Sequence, residues 1–524
     1  MKRKLSGLLA LILAFGTTLG MTACGGAGAT PDSENDLEIF YWNSGQGRVW
    51  LDNLIDAFEL ENPTVNVVRN FRETNDTWEK ELPNADVNTI DLYINSMVSM
   101  LAYTDYLEPL DEVMEATDEN GTKLINKFDA SLMSQLRKDG TLYGTYWGGG
   151  ICGLVYNKTV FEQESFSIPR TTDELADLAS DILDIKDGKG NSKYTPFIFP
   201  GNADYWTYCY LPWAAQYGGM EEINAYWNPE IVGEGSEKHV SKDAFITDAR
   251  LEALKALEKV AGAEGFTYKA SNSKTHTAVQ TLFLDGTGLM MPNGSWVENE
   301  MRGTDDLNTE FEFMKTPIIS ALGTKLGITD RVLREVVSYV DSVDYTNSKD
   351  SATLYFDDNS TEYQAFRIKD LPRTTIDRVA EARNIIYTEG TSNKVAIPNY
   401  SNAKEWAKKF IQFMNTEEGL KYYWEEVKGP MLAKVSTPIA TTGWTDFSKV
   451  ALEMANNSTF VYRAKGSQFF YYNALEFYPD LPQTKMLAAE MKDRVSAEDW
   501  WRDECLAKYN GTDWEMWETK SGLL

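Results

Sequence analysis

Histidine is scarce in this chain of 524 residues, which has only His239 and His276. Neither stands in an H-E-x-x-H arrangement, so the sequence argues against a histidine-rich zinc site and against a histidine-based catalytic triad. A G-x-x-x-x-G-K-[ST] phosphate-binding loop is also missing. Residues 148–153 match G-x-G-x-x-G in letters alone, because an extended pattern follows where a dinucleotide site needs a helix. We therefore expect neither a metal nor a cofactor.

Positive charge is also in short supply. Lys and Arg number 50 against 79 Asp and Glu, which gives a net charge of −29. Such a surface repels nucleic acid and anionic lipid, so both are excluded as partners. With 43% hydrophobic and 25% charged residues, the chain has the composition of a soluble globular protein. Its length predicts two or more domains.

Cysteine is sparse as well. Besides Cys24, the chain has Cys152, Cys209 and Cys505. An odd and small set of this kind argues against a disulfide framework. A single pair between Cys152 and Cys209 stays open.

The first residues have the pattern of an export signal. A basic segment, residues 1–4, precedes an apolar run that is too short to span a bilayer. The sequence Met-Thr-Ala-Cys that ends at Cys24 resembles the cleavage motif of bacterial lipoprotein precursors, which implies cleavage before Cys24 and acylation of its thiol. Residues 1–23 are then the signal peptide and residues 24–36 a flexible tether. The expected location is the extracellular face of the cell membrane; a plain secretory signal with an incidental cysteine is the alternative.

The start of the mature chain predicts a βαβ unit. Residues 37–42 read as a strand, residues 48–61 as a helix with one apolar face, and residues 65–68 as the next strand. Two such strands pair in parallel through a right-handed crossover. Ligands gather at the carboxyl ends of parallel strands, where the loop of residues 42–47 lies. A further strand at 90–94 leads into Asn95 and Ser96.

A second candidate for ligand contact is Trp296. An apolar strand at residues 289–291 is followed by Asn293 and Gly294, which we expect to turn the chain because both tolerate positive φ. That turn would present Trp296 at the mouth of a site. Tryptophan offers a flat apolar face and one N–H donor, which suits stacking on a partly polar ligand.

Several stretches together resemble the extracellular solute-binding proteins of ABC importers, in the maltose-binding-protein-like branch (family 1) that binds sugars and oligosaccharides. The most specific stretch is residues 286–301 (GTGLMMPNGSWVENEM). Residues 154–158, 402–419 and 427–430 also match, and the four stretches occur along the chain in the family's order. The resemblance implies an α/β, two-lobed periplasmic-binding-protein-like fold of type II. Each lobe would be a mostly parallel sheet flanked by helices, with crossing hinge segments between the lobes.

The resemblance also implies lobe limits and partners. The first lobe would hold residues 37–146 plus 395–428, and the second residues 147–394 plus 429–524, with an extra segment at about 302–395. Hinge closure would enclose the ligand, and the membrane permease of an ABC importer would read the closed form. We expect a monomer.

Positions that match the family's ligand contacts combine aromatic rings with amides, hydroxyls and one carboxylate. The resemblance implies the following ligand-binding residues: Trp42, Asn43, Gln46, Asn95, Ser96, Trp147, Asp204, Tyr205, Trp206, Asn293, Trp296 and Trp444.

A secreted glycoside hydrolase is the main alternative function, because carboxylates are abundant and aromatic residues bind sugars there too. Such an enzyme needs two carboxylates about 5 Å or about 6.5–9.5 Å apart across one bond. Glu298 and Glu300 flank the Trp296 segment, and we interpret them as solvated charges at a helix start. A binding protein for another small organic solute is the other alternative. Aromatic residues beside amides favour a carbohydrate, so we predict a non-enzymatic carbohydrate receptor.

Overall fold

The computed structural model describes most of the chain that follows the predicted signal peptide. Described are residues 34–75, 77–201, 203–227, 231–233, 239–302, 309–342, 371–464, 482–511 and 514. The predicted signal peptide, the lipidation site Cys24 and the tether up to residue 33 lie outside these residues, as do 303–308 and 343–370 of the extra segment. Within the described ranges, no helix has the length and apolar character needed to cross a membrane.

The described residues alternate between strands and helices. The strands are β1 Asp36–Trp42, β2 Asn66–Arg72, β3 Leu92–Ser96, β4 Arg137–Lys138, β5 Thr141–Leu142, β6 Thr145–Tyr146, β7 Ile151–Asn157, β8 Thr195–Phe197, β9 Ile231–Val232, β10 His239–Val240, β11 Gly288–Gly294, β12 Phe311–Met314, β13 Ile385–Thr388, β14 Asn393–Ala396 and β15 Thr459–Val461. The α-helices are Val49–Glu61, Trp78–Glu81, Asp111–Glu115, Ala130–Ser134, Lys158–Glu164, Thr172–Asp184, Thr207–Gly218, Met220–Trp227, Asp248–Ala261, His276–Leu284, Val297–Met301, Ala321–Lys325, Asp330–Ser342, Arg373–Arg383, Lys404–Met414, Glu417–Val427, Asp446–Asn456, Pro482–Met486, Ala497–Trp500 and Ala507–Asn510.

The first sheet has the strand order β2-β1-β3-β14-β6. Strand β1 pairs in parallel with β2 and β3, and the helix Val49–Glu61 connects β1 to β2, so the predicted βαβ unit is confirmed. The third strand ends later than predicted, because Asn95 and Ser96 still pair with β14 and so belong to β3.

The second sheet is built around β7. Its order is β15-β13-β7-β11-β8, with β12 also paired to β7. Strand β7 runs antiparallel to β11, β12 and β13, whereas β8 and β15 are parallel to their neighbours. Both sheets are therefore mixed rather than mostly parallel. One strand in each sheet opposes the others: β14 runs antiparallel to β3 and β6, and β7 runs antiparallel to β11, β12 and β13. Both strands directly follow a crossing between the sheets.

The chain passes between the sheets through glycine-containing segments. Strand β6 belongs to the first sheet and β7 to the second, so residues 147–150 form one crossing. Strand β13 belongs to the second sheet and β14 to the first, so residues 389–392 form another. We name the first sheet with its helices the first lobe, and the second sheet with its helices the second lobe. The residue limits of the lobes stay a prediction.

The crossings pack against one another through their backbones. A methyl group on Gly149 would lie 2.4 Å from Met431 Cα, and one on Gly390 would lie 3.2 Å from Gly149 Cα. The hydroxyl of Tyr423 accepts a hydrogen bond from Gly149 N at 3.3 Å. Glycine is required at Gly149, because a side chain there would overlap the backbone at Met431, whereas the contact at Gly390 is tight.

Helices cover both sheets and begin where the sequence provides a cap. Thr171 caps the helix Thr172–Asp184, since its Oγ1 accepts from Glu174 N at 3.3 Å. The Glu174 carboxylate accepts a hydrogen bond from Arg170 N at 2.7 Å rather than from Thr171 N. In the first lobe, Phe58 meets Phe410 edge-on at 5.1 Å between ring centroids, which joins two helices into one apolar layer.

The cysteines of the described residues are unpaired. Cys152, Cys209 and Cys505 are all free and buried, so the Cys152–Cys209 bond that the sequence left open is not formed. Burial raises the pKa of the Cys505 thiol to about 11, and thiols of this kind are inert structural groups.

We expect Gly149→Ala to destabilise the protein, because its methyl group would lie 2.4 Å from Met431 Cα and backbone atoms cannot rotate away. Overpacking of this kind costs about 1–3 kcal/mol. The matched control is Gly153→Ala in β7, where the added methyl meets nothing within 4 Å. Thermal unfolding should show a lower Tm for the first variant and an unchanged or slightly higher Tm for the control. Equal values for the two variants would contradict the close packing of the crossings.

Candidate functional site

A cleft of about 640 Å³ opens between the two lobes. Its volume lies within the range of about 300–1,000 Å³ that small-molecule sites occupy. Aromatic rings, amides, hydroxyls and carboxylates from both sheets and from the second crossing line it: Trp42, Asn43, Ser44, Gly45, Gln46, Glu73, Ser96, Val98, Tyr205, Tyr208, His276, Trp296, Glu300, Glu389, Ser392 and Asn393.

The loop that follows β1 forms the first-lobe wall of the cleft. It begins at Trp42, the last residue of the strand, as expected for a loop at the carboxyl end of a parallel pair. Asn43 Nδ2 donates to Glu73 Oε1 at 3.0 Å. Gln46 Nε2 donates to the carbonyl of Gly149 at 3.4 Å, which attaches the loop to the first crossing.

Trp296 reaches the cleft by a route that differs from the predicted turn. Asn293 and Gly294 are still part of β11, where they pair with β7, and neither has a positive φ. Pairing with the neighbouring strand therefore decided their conformation, and the chain leaves the strand only at Ser295. The indole of Trp296 lies over Gly294, since an added methyl there would approach the ring to 2.3 Å.

Trp296 also contacts the first lobe. A methyl on Gly45 would lie 3.0 Å from its Cδ1, and one on Gly150 would lie 3.0 Å from its Cε3. One tryptophan thus touches the second sheet, a crossing and the first-lobe loop, while its side chain remains half-buried at the cleft.

Two tyrosines continue the aromatic wall beside Trp296. Tyr205 packs edge-on against Tyr208 with centroids 5.2 Å apart, and Tyr208 packs edge-on against Trp296 at 6.4 Å. The sequence analysis did not identify Tyr208 as a cleft residue. Its spacing from Tyr205 was an available signal, because residues three apart at the start of a helix share a face.

Carboxylates enter the cleft from both lobes, which corrects the interpretation of the Trp296 segment. Glu298 is not a freely solvated charge, since it accepts from Ser448 Oγ at 2.7 Å. Glu300 faces the cleft and accepts a hydrogen bond from Gln280 Nε2. The surrounding walls displace water and raise the pKa of Glu300, although the Gln280 bond and the nearby His276 act in the opposite direction. No group of three or more His, Cys, Asp or Glu suited to a metal ion occurs among the described residues.

Half of the predicted ligand-binding residues line the cleft. They are Trp42, Asn43, Gln46, Ser96, Tyr205 and Trp296. The others, Asn95, Trp147, Asp204, Trp206, Asn293 and Trp444, do not.

The two inner tryptophans belong to the core instead. Trp147 stacks on Trp50 with centroids 5.8 Å apart, and its Nε1 donates to the carbonyl of Asn95 at 3.4 Å. Trp206 is fully buried and packs edge-on against Phe197 at 5.4 Å. Both are held by ring contacts that no local sequence pattern reveals.

Of the remaining four side chains, three have internal partners and the fourth is buried. Asn95 Oδ1 accepts from Ser96 N at 2.7 Å, and Asp204 accepts from Tyr210 Oη at 3.0 Å. Asn293 Nδ2 lies 3.7 Å from Met291 Sδ. Trp444 is buried, with 7% of its surface exposed.

A buried lysine supports the cleft wall from behind. Lys394 Nζ donates to the carbonyls of Met97 and Val98 at 2.8 and 3.1 Å. Val98 and the neighbour Asn393 line the cleft, so this lysine ties β14 to the loop after β3. Burial lowers the pKa of Lys394 from 10.5 to about 7, because the charged ammonium is desolvated.

Comparisons with known proteins agree on one class. The family model described as bacterial extracellular solute-binding protein matches residues 53–332. The chain is 26% identical over 240 residues to the diacetylchitobiose binding protein of Streptomyces coelicolor, a match covering 44% of this chain and 46% of that protein. It is 24% identical over 289 residues to the multiple sugar-binding protein of Streptococcus mutans, covering 53% of this chain and 62% of that protein. The chain thus spans less than two thirds of the length of either relative.

Solved structures show the same fold. A receptor of Streptomyces glaucescens, solved without ligand and with acarbose, superposes with a TM-score of 0.56 at 14% identity, covering 91% of this chain and 97% of the other. A chitin oligosaccharide binding protein gives a TM-score of 0.56 at 14% identity, covering 93% and 99%. The two-lobed α/β architecture expected from the sequence is confirmed.

The buried position of Lys394 predicts a pH dependence of stability. Between its folded pKa of about 7 and its ordinary value of about 10.4, the unfolded chain binds one proton more than the folded chain. The contribution of this residue to the free energy of unfolding should therefore rise with pH in that window and be lowest below it. Urea unfolding of the parent chain and of Lys394→Met, at pH values on both sides of the folded pKa, measures the difference. A difference that does not change with pH would contradict the assignment.

Proposed function

The chain belongs to the bacterial extracellular solute-binding proteins, and we propose on that premise that it is a carbohydrate receptor for an ABC importer. The receptor binds its ligand, an oligosaccharide, by closing its two lobes and presents it to the membrane permease. It acts as a monomer.

The composition of the cleft is the observation that carries the proposal. Trp42 enters from the first lobe, and Trp296 and Tyr205 enter from the second. Such rings stack on the C–H faces of sugar rings. Asn43 and Gln46 lie beside them, and their amides can donate to and accept from hydroxyl groups. Aromatic faces combined with a few polar groups are what orient a polyhydroxylated ligand.

The curated relatives support the same ligand class. One is named for binding diacetylchitobiose and the other for binding multiple sugars. The family consists of solute-binding proteins rather than enzymes, which weighs against a glycoside hydrolase. Trp42, Asn43, Gln46, Ser96, Tyr205 and Trp296 are the ligand contacts we propose.

Membership of this family makes the chain an extracellular protein. We propose that the thiol of Cys24 carries the lipid that anchors it, after removal of residues 1–23. A tether of residues 24–36 then separates the first lobe from the membrane.

Thermal unfolding of residues 25–524 against a solute panel tests the ligand class. The panel holds mono- and oligosaccharides, amino acids, short peptides and calcium. A ligand at 100 times its Kd adds about 2.7 kcal/mol to the free energy of unfolding, so we expect an oligosaccharide to raise Tm measurably. The sugar should remain intact on prolonged incubation. Cleavage of the sugar, or stabilisation by a non-carbohydrate alone, would overturn the proposal.

A pair of tryptophan variants locates the binding. Trp296→Ala should abolish the shift in Tm caused by the sugar, because it removes the ring between the lobes. Trp406→Ala is the matched control, since this half-buried ring packs on Phe58 far from the cleft. Loss of the shift in both variants would indicate damage to the fold rather than to the site.

Replacement of Cys24 tests the anchor. We expect Cys24→Ser to abolish incorporation of labelled fatty acid and retention in the membrane fraction. The control is Cys505→Ala, which removes a buried thiol and should remain lipidated. Unchanged labelling of Cys24→Ser would show that the anchor lies elsewhere or that the signal is purely secretory.

A further inference from the structure

The charged side chains of the cleft bear on which carbohydrates it accepts, an inference that rests on the proposed function. Acidic residues enter from three directions: Glu73 after β2, Glu300 from the helix Val297–Met301, and Glu389 from the second crossing. None of the described residues that line the cleft is Lys or Arg. The cleft is therefore negatively charged. The three carboxylates differ in how far nearby cations and hydrogen-bond donors compensate their charge.

Glu389 is compensated by its own surroundings. Arg463 Nη2 lies 3.6 Å from Glu389 Oε1. The same carboxylate accepts hydrogen bonds from Tyr387 Oη at 2.6 Å and from Ser392 Oγ at 3.2 Å. With a cation and two hydroxyl donors around it, this residue is part of the frame of the cleft.

Glu73 and Glu300 have neutral donors instead. Asn43 Nδ2 donates to Glu73, and Gln280 Nε2 donates to Glu300. Among the described ion pairs, neither carboxylate has a Lys or Arg partner. The raised pKa of Glu300 is the expected consequence of enclosing a carboxylate without such a cation.

The two carboxylates lie on either side of the loop that follows β1. Asn43 in this loop holds Glu73, and a methyl on Gly45 would lie 2.7 Å from Glu300 Oε1. A ligand seated on the loop therefore lies near both carboxylates. Both residues keep solvent-exposed surface, and the cleft walls partly desolvate the carboxylate of Glu300, so its charge is less screened than in bulk solvent.

We propose that the cleft accepts neutral or amine-bearing carbohydrates and excludes anionic ones, and that Glu73 and Glu300 are the residues that determine this specificity. Hydroxyl and ammonium groups donate to the two carboxylates, which have free acceptor capacity. A uronate or a phosphorylated sugar would place a like charge against them, and juxtaposed like charges reject a partner.

A pair of probes that differ in charge and not in shape tests this selection. The starting sugar is the neutral oligosaccharide that raises Tm most in the solute panel. One of its primary hydroxymethyl groups is converted to a carboxamide at a position that retains binding, and to a carboxylate at the same position. Isothermal titration calorimetry at neutral pH should show the carboxamide binding about tenfold or more tightly than the carboxylate.

Glutamine variants test whether Glu73 and Glu300 cause the preference for the carboxamide. Glu73→Gln and Glu300→Gln should each reduce the preference for the carboxamide, and the double variant should bring the two affinities within about twofold. Glu298→Gln is the matched control, because Glu298 lies on the same helix but bonds to Ser448 outside the cleft, and it should keep the preference. Tm of each variant without ligand verifies folding.

The outcomes separate this inference from the proposed function. Equal affinities for the two probes in the parent chain, or an unchanged preference in the double variant, would overturn the charge selection and leave carbohydrate binding intact. A panel in which no carbohydrate raises Tm would overturn the proposed function itself.

Discussion

The structure depends on the close approach of its crossings. The two crossings and the segment at Met431 meet where Gly149 lies against Met431 and Gly390 lies against Gly149. The contact of Gly149 is with backbone atoms, and Gly390 also packs against the side chain of Leu432. Hydrogen bonds add direction to these contacts: Thr388 Oγ1 donates to Gly150 O at 2.7 Å. These contacts also position one wall of the cleft, because Gln46 of the first-lobe loop is hydrogen-bonded to the same crossing.

Trp296 connects the crossings to the candidate ligand site. Its ring rests on the second sheet at Gly294 and touches the first-lobe loop at Gly45. A residue that contacts both lobes and the cleft responds to any rotation of one lobe against the other. Hinge closure in two-lobed proteins moves nearly rigid bodies about a few residues. Under the proposed function, the exposure of this ring would change with closure, which would couple ligand contact to closure.

Local patterns were sufficient for the parts of the fold that are stabilised locally. The βαβ unit and the cap at Thr171 follow from apolar periodicity and side-chain chemistry within a few residues. Long-range contacts decided the rest. Asn293 was expected to turn, yet strand pairing with β7 keeps it extended. Trp147 precedes a glycine and Trp296 lies two residues after one. Contacts with residues distant in sequence, such as the stacking of Trp147 on Trp50, distinguish the core ring from the cleft ring. For the same reason no local pattern identified Glu389 and Ser392, which the second crossing contributes to the cleft.

The electrostatics of the cleft link occupancy to closure. Glu300 lies near Gly45 with an amide as its hydrogen-bond donor, and its raised pKa reflects the cost of partly desolvating the charge there. Under the proposed function, a ligand hydroxyl that donates to the carboxylate would offset this cost and so favour the arrangement in which the cleft holds a ligand. Differential stabilisation of this kind is what allows a ligand to shift a conformational equilibrium.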